Sequence, residues 1–251
     1  EREMNCTENY TLTIIVPVYN EEENIRYVKE RVGAYLPVCP VPACVLFVDD
    51  GSSDRGLERI REVCEETPHF YYVALRKNGG LSCALKAGID YAGSRYIGYI
   101  DADMQTDVRD FDLLLPYIHD YPLVMGIRAC RKDSSFKRAQ SRVANSFRRM
   151  ITHDRATDTG CPLKIMWTDY ARRIPFFSGM HRFLPALIGL QEGGCFREVA
   201  VRHYPRKAGI SKYHFWNRSV SPLIDCFVFR WMKCRFINYK VSDTNVVDDG
   251  I

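Results

Sequence analysis

Four short apolar runs, each stopped by polar residues and separated by stretches of helical period, leave this chain few architectures. Residues 11–18 (TLTIIVPV), 45–48 (VLFV), 70–75 and 96–100 read as buried strands, since unbroken runs of β-branched and aromatic residues suit strands covered on both faces. Helical patterns occupy 21–36, 57–64 and 81–92 between them. This alternation predicts an α/β fold, a mostly parallel sheet of the doubly wound kind flanked by helices. Ligands of such sheets bind beyond the carboxyl ends of the strands. Those ends carry Tyr19-Asn20-Glu21, Asp49-Asp50, Arg76-Lys77-Asn78 and Asp101-Ala102-Asp103, so one crevice can collect all four.

With 251 residues, 46% hydrophobic and 26% charged, the chain can bury a sizeable core, and disorder is excluded. A net charge of +4 is too mild to mark a nucleic-acid partner, and the aromatics are not interleaved with Lys and Arg on a strand platform. The ten cysteines form no C-x-x-C pair and no Cys/His spacing, which reads as reduced thiols in a cytosolic compartment. The sequons at Asn5, Asn9 and Asn217 follow no apolar signal segment and read as chance triplets. A spanning helix needs about 20 apolar residues. The nearest candidate, 223–237, is broken by Asp225, Arg230, Lys233 and Arg235, so the chain as given is expected not to cross a bilayer.

The sharpest local feature is Asp101-Ala102-Asp103-Met104-Gln105 at the end of a strand. In extended backbone, residues two apart point the same way, so Asp101, Asp103 and Gln105 can offer three oxygen ligands to one side. Mg²⁺ or Mn²⁺ takes such a set, one or two carboxylates with diphosphate oxygens and water completing the shell. An acidic turn capping the next helix through Thr106 or Asp107 explains the same residues. Asn78-Gly79-Gly80 reads as a tight turn into a packed helix and not as a Walker A loop, because Lys86 lies between Leu85 and Ala87.

Five segments together resemble the family-two glycosyltransferases, within them the dolichyl-phosphate mannosyltransferase and bacterial polyprenyl-phosphate glycosyltransferase group. They are IIVPVYNEEENI at 14–25, FVDDGSSDR at 47–55, NGGLSCALKAG at 78–88, YIDADMQTD at 99–107 and PRKAGISKY at 205–213, in the family's order. The resemblance implies a GT-A (Rossmann-like) catalytic domain over 1–215 and a C-terminal amphipathic membrane-interface segment and tail over 216–251. It implies nucleotide-sugar contacts at Pro17, Tyr19, Glu21, Asp49, Asp50, Asp101, Ala102, Asp103 and Gln105, with Asp101, Asp103 and Gln105 on the metal. It also implies donor-phosphate contacts at Arg128, Arg206 and Lys212, so that Asp101, Asp103, Arg128, Arg206 and Lys212 form the catalytic set.

Residues 136–151 carry Phe136, Ala139, Val143, Phe147 and Met150 at helical spacing, with Lys137, Arg138, Arg142, Arg148 and Arg149 around them. Such a basic amphipathic helix suits a membrane interface, and an ordinary surface helix shows the same pattern. Residues 221–237 add Phe227, Phe229, Trp231 and Phe236 among Arg230, Lys233 and Arg235, a plausible second interface helix. By resemblance, the lipid phosphate falls to Arg142 and Ser146, with His181 and Arg182 near the acceptor; His181 also fits a purely structural histidine.

The Q-x-x-R-W segment of processive relatives is absent, since Gln191-Glu192 runs into Gly193-Gly194-Cys195. That favours a phosphate acceptor, which is anionic near neutral pH and requires no general base. The expected activity is inverting transfer of a hexose such as mannose or glucose from a GDP- or UDP-linked donor to dolichyl or undecaprenyl phosphate, at the cytoplasmic face of a membrane. Two alternatives stay open: a soluble family-two transferase acting on a sugar hydroxyl, and an inactive nucleotide-sugar binder.

Overall fold

Seven strands form one sheet in the order β3-β2-β1-β4-β6-β5-β7. They are β1 (Leu12–Val18), β2 (Ala43–Asp49), β3 (Phe70–Ala74), β4 (Tyr96–Tyr99), β5 (Leu123–Arg128), β6 (Lys164–Trp167) and β7 (Phe196–Val201). The computed structural model describes residues 6–128, 146–204 and 215–237, with side chains of the last segment from Leu223 onward. β1 pairs in parallel with β2 and β4, β2 with β3, and β5 with β7, while β6 runs antiparallel to both β4 and β5. Six strands therefore point their carboxyl ends to one edge.

The expected strands and helices of the first hundred residues are in place, with helices α1 (Glu22–Gly33), α2 (Gly56–Glu66) and α3 (Leu81–Tyr91). β2 is buried along its whole length and β1 at all but Pro17, which explains their unbroken apolar runs. Period-two alternation splits β1 between two cores. Ile14, Val16 and Val18 pack with Ile25, Val28 and Val32 of α1 and Ile60 of α2. Ile15 faces the other layer, with Ala84, Leu85 and Ile89 of α3.

After β4 come α4 (Phe111–Leu114), α5 (146–152), α6 (Thr168–Arg172), α7 (Leu184–Ile188) and α8 (Phe215–Lys233). The inward face of α8 joins the α3-side core through Cys226 and Phe229, and Phe229 stacks on Phe183 at 5.6 Å between centroids. No described helix is long and apolar enough to cross a membrane. The described cysteines are all free thiols.

The helix expected over 136–151 needs a correction where it is described. Arg148, placed on the polar circumference, is buried, while Met150, placed on the apolar stripe, is 63% exposed. The reason is local satisfaction of charge: the Arg148 guanidinium donates to Asp154 and to the Ala156 carbonyl, so it can turn inward.

Candidate active site

The loops after β1 and β2 are laced together. Asn20 holds a left-handed backbone (φ 49°), and its side-chain oxygen accepts from Ser53 N at 2.7 Å. Asp54 accepts from Glu22 N at 3.1 Å and Gly56 N at 2.9 Å, the first amides of α1 and α2. The sequence marks both as strand-end polar residues, but the bonds from Ser53 to Asn20 and from Glu22 to Asp54 join loops more than 30 positions apart. Pro17 is half-buried, Tyr19 is 37% exposed, and Glu21 accepts from Asn24 beside them.

Asp49 and Asp50 are adjacent and do different things. Asp50 is saturated, accepting from Gly79 N at 2.8 Å, Gly80 N at 2.8 Å and Asn78 Nδ2 at 2.9 Å. It fastens the turn into α3. Burial raises its pKa, and the two glycine amides pull it back. Gly51 (φ 68°) fits there because a Cβ would lie 2.5 Å from the Lys77 carbonyl carbon. Asp49 accepts from Ser52 N at 3.2 Å through one oxygen, while its other, Oδ1, is buried without a hydrogen-bond partner among the described residues.

At the tip of β4 the backbone is a tight turn, not the extended strand assumed above: Met104 N donates to Asp101 O at 3.1 Å, and Met104 has φ 49°. The side-chain alternation nevertheless survives. Ala102 and Met104 are buried in the core, while Asp101, Asp103 and Gln105 are only part-buried. Tyr99 OH donates to Asp101 at 2.6 Å, and Asp103 accepts Gln105 N at 3.2 Å. The capping role belongs to Asp107, which accepts Arg109 N at 3.1 Å. Among the described residues no three His, Cys, Asp or Glu side chains form a ready-made cation cage. Two carboxylates and an amide nonetheless fit a hard cation that completes its shell with diphosphate oxygens.

Arg128 ends β5 and is forked onto Asp158, Nε to Oδ2 at 2.7 Å and Nη2 to Oδ1 at 2.6 Å, with its backbone N–H adding a third bond. Glu198 of β7 accepts Thr157 N at 2.6 Å and Asp158 N at 3.4 Å, which fixes the turn that carries the fork. Neither Asp158 nor Glu198 was legible in the sequence. Arg206, Lys212 and Arg142 lie outside the described residues. Tyr204, the last described residue before Arg206, donates its N–H to Gln105 O at 2.7 Å.

His181 shares a hydrogen bond with Ser82 Oγ at 2.8 Å, at the first turn of α3. Burial, aided by Arg182 and Lys164, pushes its pKa down from 6.5 to about 3, so it is neutral at pH 7. The unfolded chain takes up a proton here below about pH 6.5, whereas the folded chain does so only near pH 3; stability therefore falls as pH drops through that window. His181→Gln, which keeps a partner for Ser82, should lose roughly 2 kcal/mol less between pH 7 and pH 5 than the parent chain. Urea titrations at the two pH values check this. Arg182 pairs with Asp225 of α8 at 3.7 Å, and Ser146, the first described residue of α5, is exposed.

The seven-stranded, mostly parallel sheet with flanking helices is GT-A-like. The chain belongs to glycosyl transferase family 2, whose sequence profile it matches over residues 13–176. It is 34% identical over 234 residues to dodecaprenyl-phosphate galacturonate synthase of Rhizobium johnstonii, covering 91% of this chain and 68% of that protein. It is 31% identical over 206 residues to undecaprenyl-phosphate 4-deoxy-4-formamido-L-arabinose transferase of Pectobacterium carotovorum, covering 81% and 63%. The chain thus spans about two thirds of the length of these relatives. Among solved structures, glucosyl-3-phosphoglycerate synthase from Mycobacterium tuberculosis with Mn²⁺, UDP-glucose and phosphoglyceric acid matches with a TM-score of 0.65 at 13% identity, covering 93% of this chain and 83% of that one. A mannosyltransferase from Pyrobaculum calidifontis with GDP-mannose and Mn²⁺ matches with a TM-score of 0.60 at 17% identity, covering 92% and 66%. At these identities the structures establish a shared fold.

Proposed function

We propose that this chain is a metal-dependent, inverting transferase that moves a sugar from a nucleotide-sugar to a polyprenyl phosphate at a membrane surface. The observation that carries the reading is the turn at the tip of β4, which leaves Asp101, Asp103 and Gln105 outside the core while Ala102 and Met104 anchor it. Arg128 and Asp101 lie in one electrostatic neighbourhood, since both act on the buried Lys164.

The orphaned Oδ1 of Asp49 supplies an acceptor for a base N–H or ribose hydroxyl, and Tyr19 a flat apolar face. Asp50 shapes these loops indirectly, by holding the turn at Gly79 and Gly80. Asp101, Asp103 and Gln105 would hold Mg²⁺ or Mn²⁺, which when bound neutralises charge on the departing diphosphate. Arg128, with Arg206 and Lys212 by resemblance, meets the same diphosphate. The acceptor phosphate is already an anion, so no side chain has to remove its proton. Arg142, Ser146 and Arg182 are assigned to it, and the neutral His181 acts as a hydrogen-bonding neighbour and not as a cation.

The relatives named above point to a polyprenyl phosphate as acceptor, and their sugars are a galacturonate and a formamido-arabinose. The test is transfer of radiolabelled sugar from a panel including UDP-glucose, GDP-mannose and UDP-galacturonic acid into organic-extractable lipid, with and without Mn²⁺. Transfer confined to water-soluble acceptors would replace this reading with that of a sugar-hydroxyl transferase. Tight donor binding without any transfer would make the chain a binder.

Membrane association rests on an apolar patch spanning two helices. Met150 of α5 and Ile224, Phe227 and Trp231 of α8 are exposed, the last two at 60% and 62%. Phe147 meets Phe227 edge to face at 6.3 Å, which joins the two helices, and Arg149, Arg230 and Arg235 are exposed around them. Phe227→Glu/Trp231→Glu is expected to weaken sedimentation with anionic vesicles by more than about tenfold, because each aromatic contributes roughly 1.5–3 kcal/mol on burial. Unchanged sedimentation would remove the patch from the membrane.

A further inference from the structure

Lys164 of β6 stands between Tyr99 of β4 and Met125 of β5 in register, with a side chain that is 2% exposed. Its ammonium donates to the carbonyl oxygens of Cys161 and of Thr159, the latter at 3.4 Å, and lies 5.6 Å from the centre of the Tyr99 ring. Among the described residues it forms no ion pair. A buried cation held only by carbonyls is strongly unfavourable, and an apolar side chain would satisfy the strand without that penalty. Burial accordingly lowers the Lys164 pKa, against the pull of Cys161, Asp158 and Asp101.

The position of this cation joins two parts of the site. On one side, Thr159 and Cys161 belong to the turn that carries Asp158 and therefore the Arg128 fork. On the other, Tyr99 donates its hydroxyl to Asp101. A cation over the ring draws electron density from it and makes the phenol a stronger donor.

We propose that Lys164 is a positioning residue for the donor site. Its buried ammonium ties the Asp158 turn to the tip of β4, sets Arg128 and Asp101 in one geometry before the ligand arrives, and adds fixed positive potential beneath a diphosphate. Preorganised charge of this kind favours an anion without reorganisation on binding. The proposal rests on the reading of the site as a nucleotide-sugar site.

Lys164→Met and Lys164→Gln test it, by calorimetric binding of UDP and GDP with and without Mn²⁺, by melting temperature, and by kcat and KM. Methionine matches the lysine stem in length and removes the charge, while glutamine can still donate to the two carbonyls. Both should melt at or above the parent temperature, since a buried charge is gone, yet bind nucleoside diphosphate about tenfold more weakly even without metal, a difference of about 1.4 kcal/mol. A fall in kcat should accompany the rise in KM. Parent-like affinity and kcat in either folded variant overturns the role of Lys164 while leaving the donor reading intact. Failure of the parent chain to bind UDP or GDP overturns the donor reading and this role with it. Loss of cooperative melting in both variants makes Lys164 a folding residue and overturns the proposal as well.

Discussion

Alanine in place of Asp103 should lower turnover by at least about 10³-fold, while the melting temperature stays within about 2 °C of the parent chain. Asp103 is part-buried in a turn that Ala102 and Met104 hold from below, so removing its carboxylate leaves the packing of that turn in place. What is lost is one of two carboxylates suited to a hard cation, and charge stabilisation at a departing diphosphate contributes several kcal/mol. Asp103→Asn sharpens the test. It keeps an acceptor for the Gln105 amide and removes the charge, so it should lose nearly as much activity as alanine. Full turnover in either variant would discredit the metal assignment.

Asp158→Ala should be costly twice over. Arg128 is 14% exposed at its side chain, and losing its bidentate partner leaves a largely desolvated guanidinium, which destabilises by about 3 kcal/mol. In a chain of this size that lowers the melting temperature by roughly 6–12 °C. kcat/KM should fall by about 10²-fold or more, because an arginine no longer aimed at the diphosphate contributes little in the transition state. The double variant Arg128→Ala/Asp158→Ala separates the two effects. It should recover much of the stability, since no buried charge is left behind, and recover none of the activity. A double variant as unstable as the single one would show that Asp158 holds the fold and not the fork.

The first half of the fold was legible because parallel strands covered on both faces are continuous apolar runs, and β1 and β2 are such runs. The last three strands were not. β6 is four residues long and opens with a lysine, which argues against burial until its two carbonyl partners are known. β7 carries Arg197 and Glu198 side by side, and β5 runs directly into a basic segment. At the strand tip the expected alternation holds on a different backbone: a turn with a left-handed Met104 produces the alternation that an extended strand would also have produced. Arg148 misled for the opposite reason, since helical spacing assigns a charged residue outward and cannot foresee Asp154 waiting inside.

Runs of residues adjacent in the chain were sufficient to place the early strands, their helices, the turn at Gly80, and the acidic tip of β4, because burial period, capping and backbone handedness act between near neighbours. The work of individual charges was set from much farther away. Asp50 is occupied by amides 29 and 30 positions on, Arg128 by a carboxylate 30 positions on, and the turn beneath that carboxylate by Glu198, 41 residues beyond Thr157. A carboxylate takes its role from whichever donors the folded chain brings to it. Two neighbouring aspartates, Asp49 and Asp50, thus look alike in the sequence, yet only Asp49 keeps an oxygen unengaged.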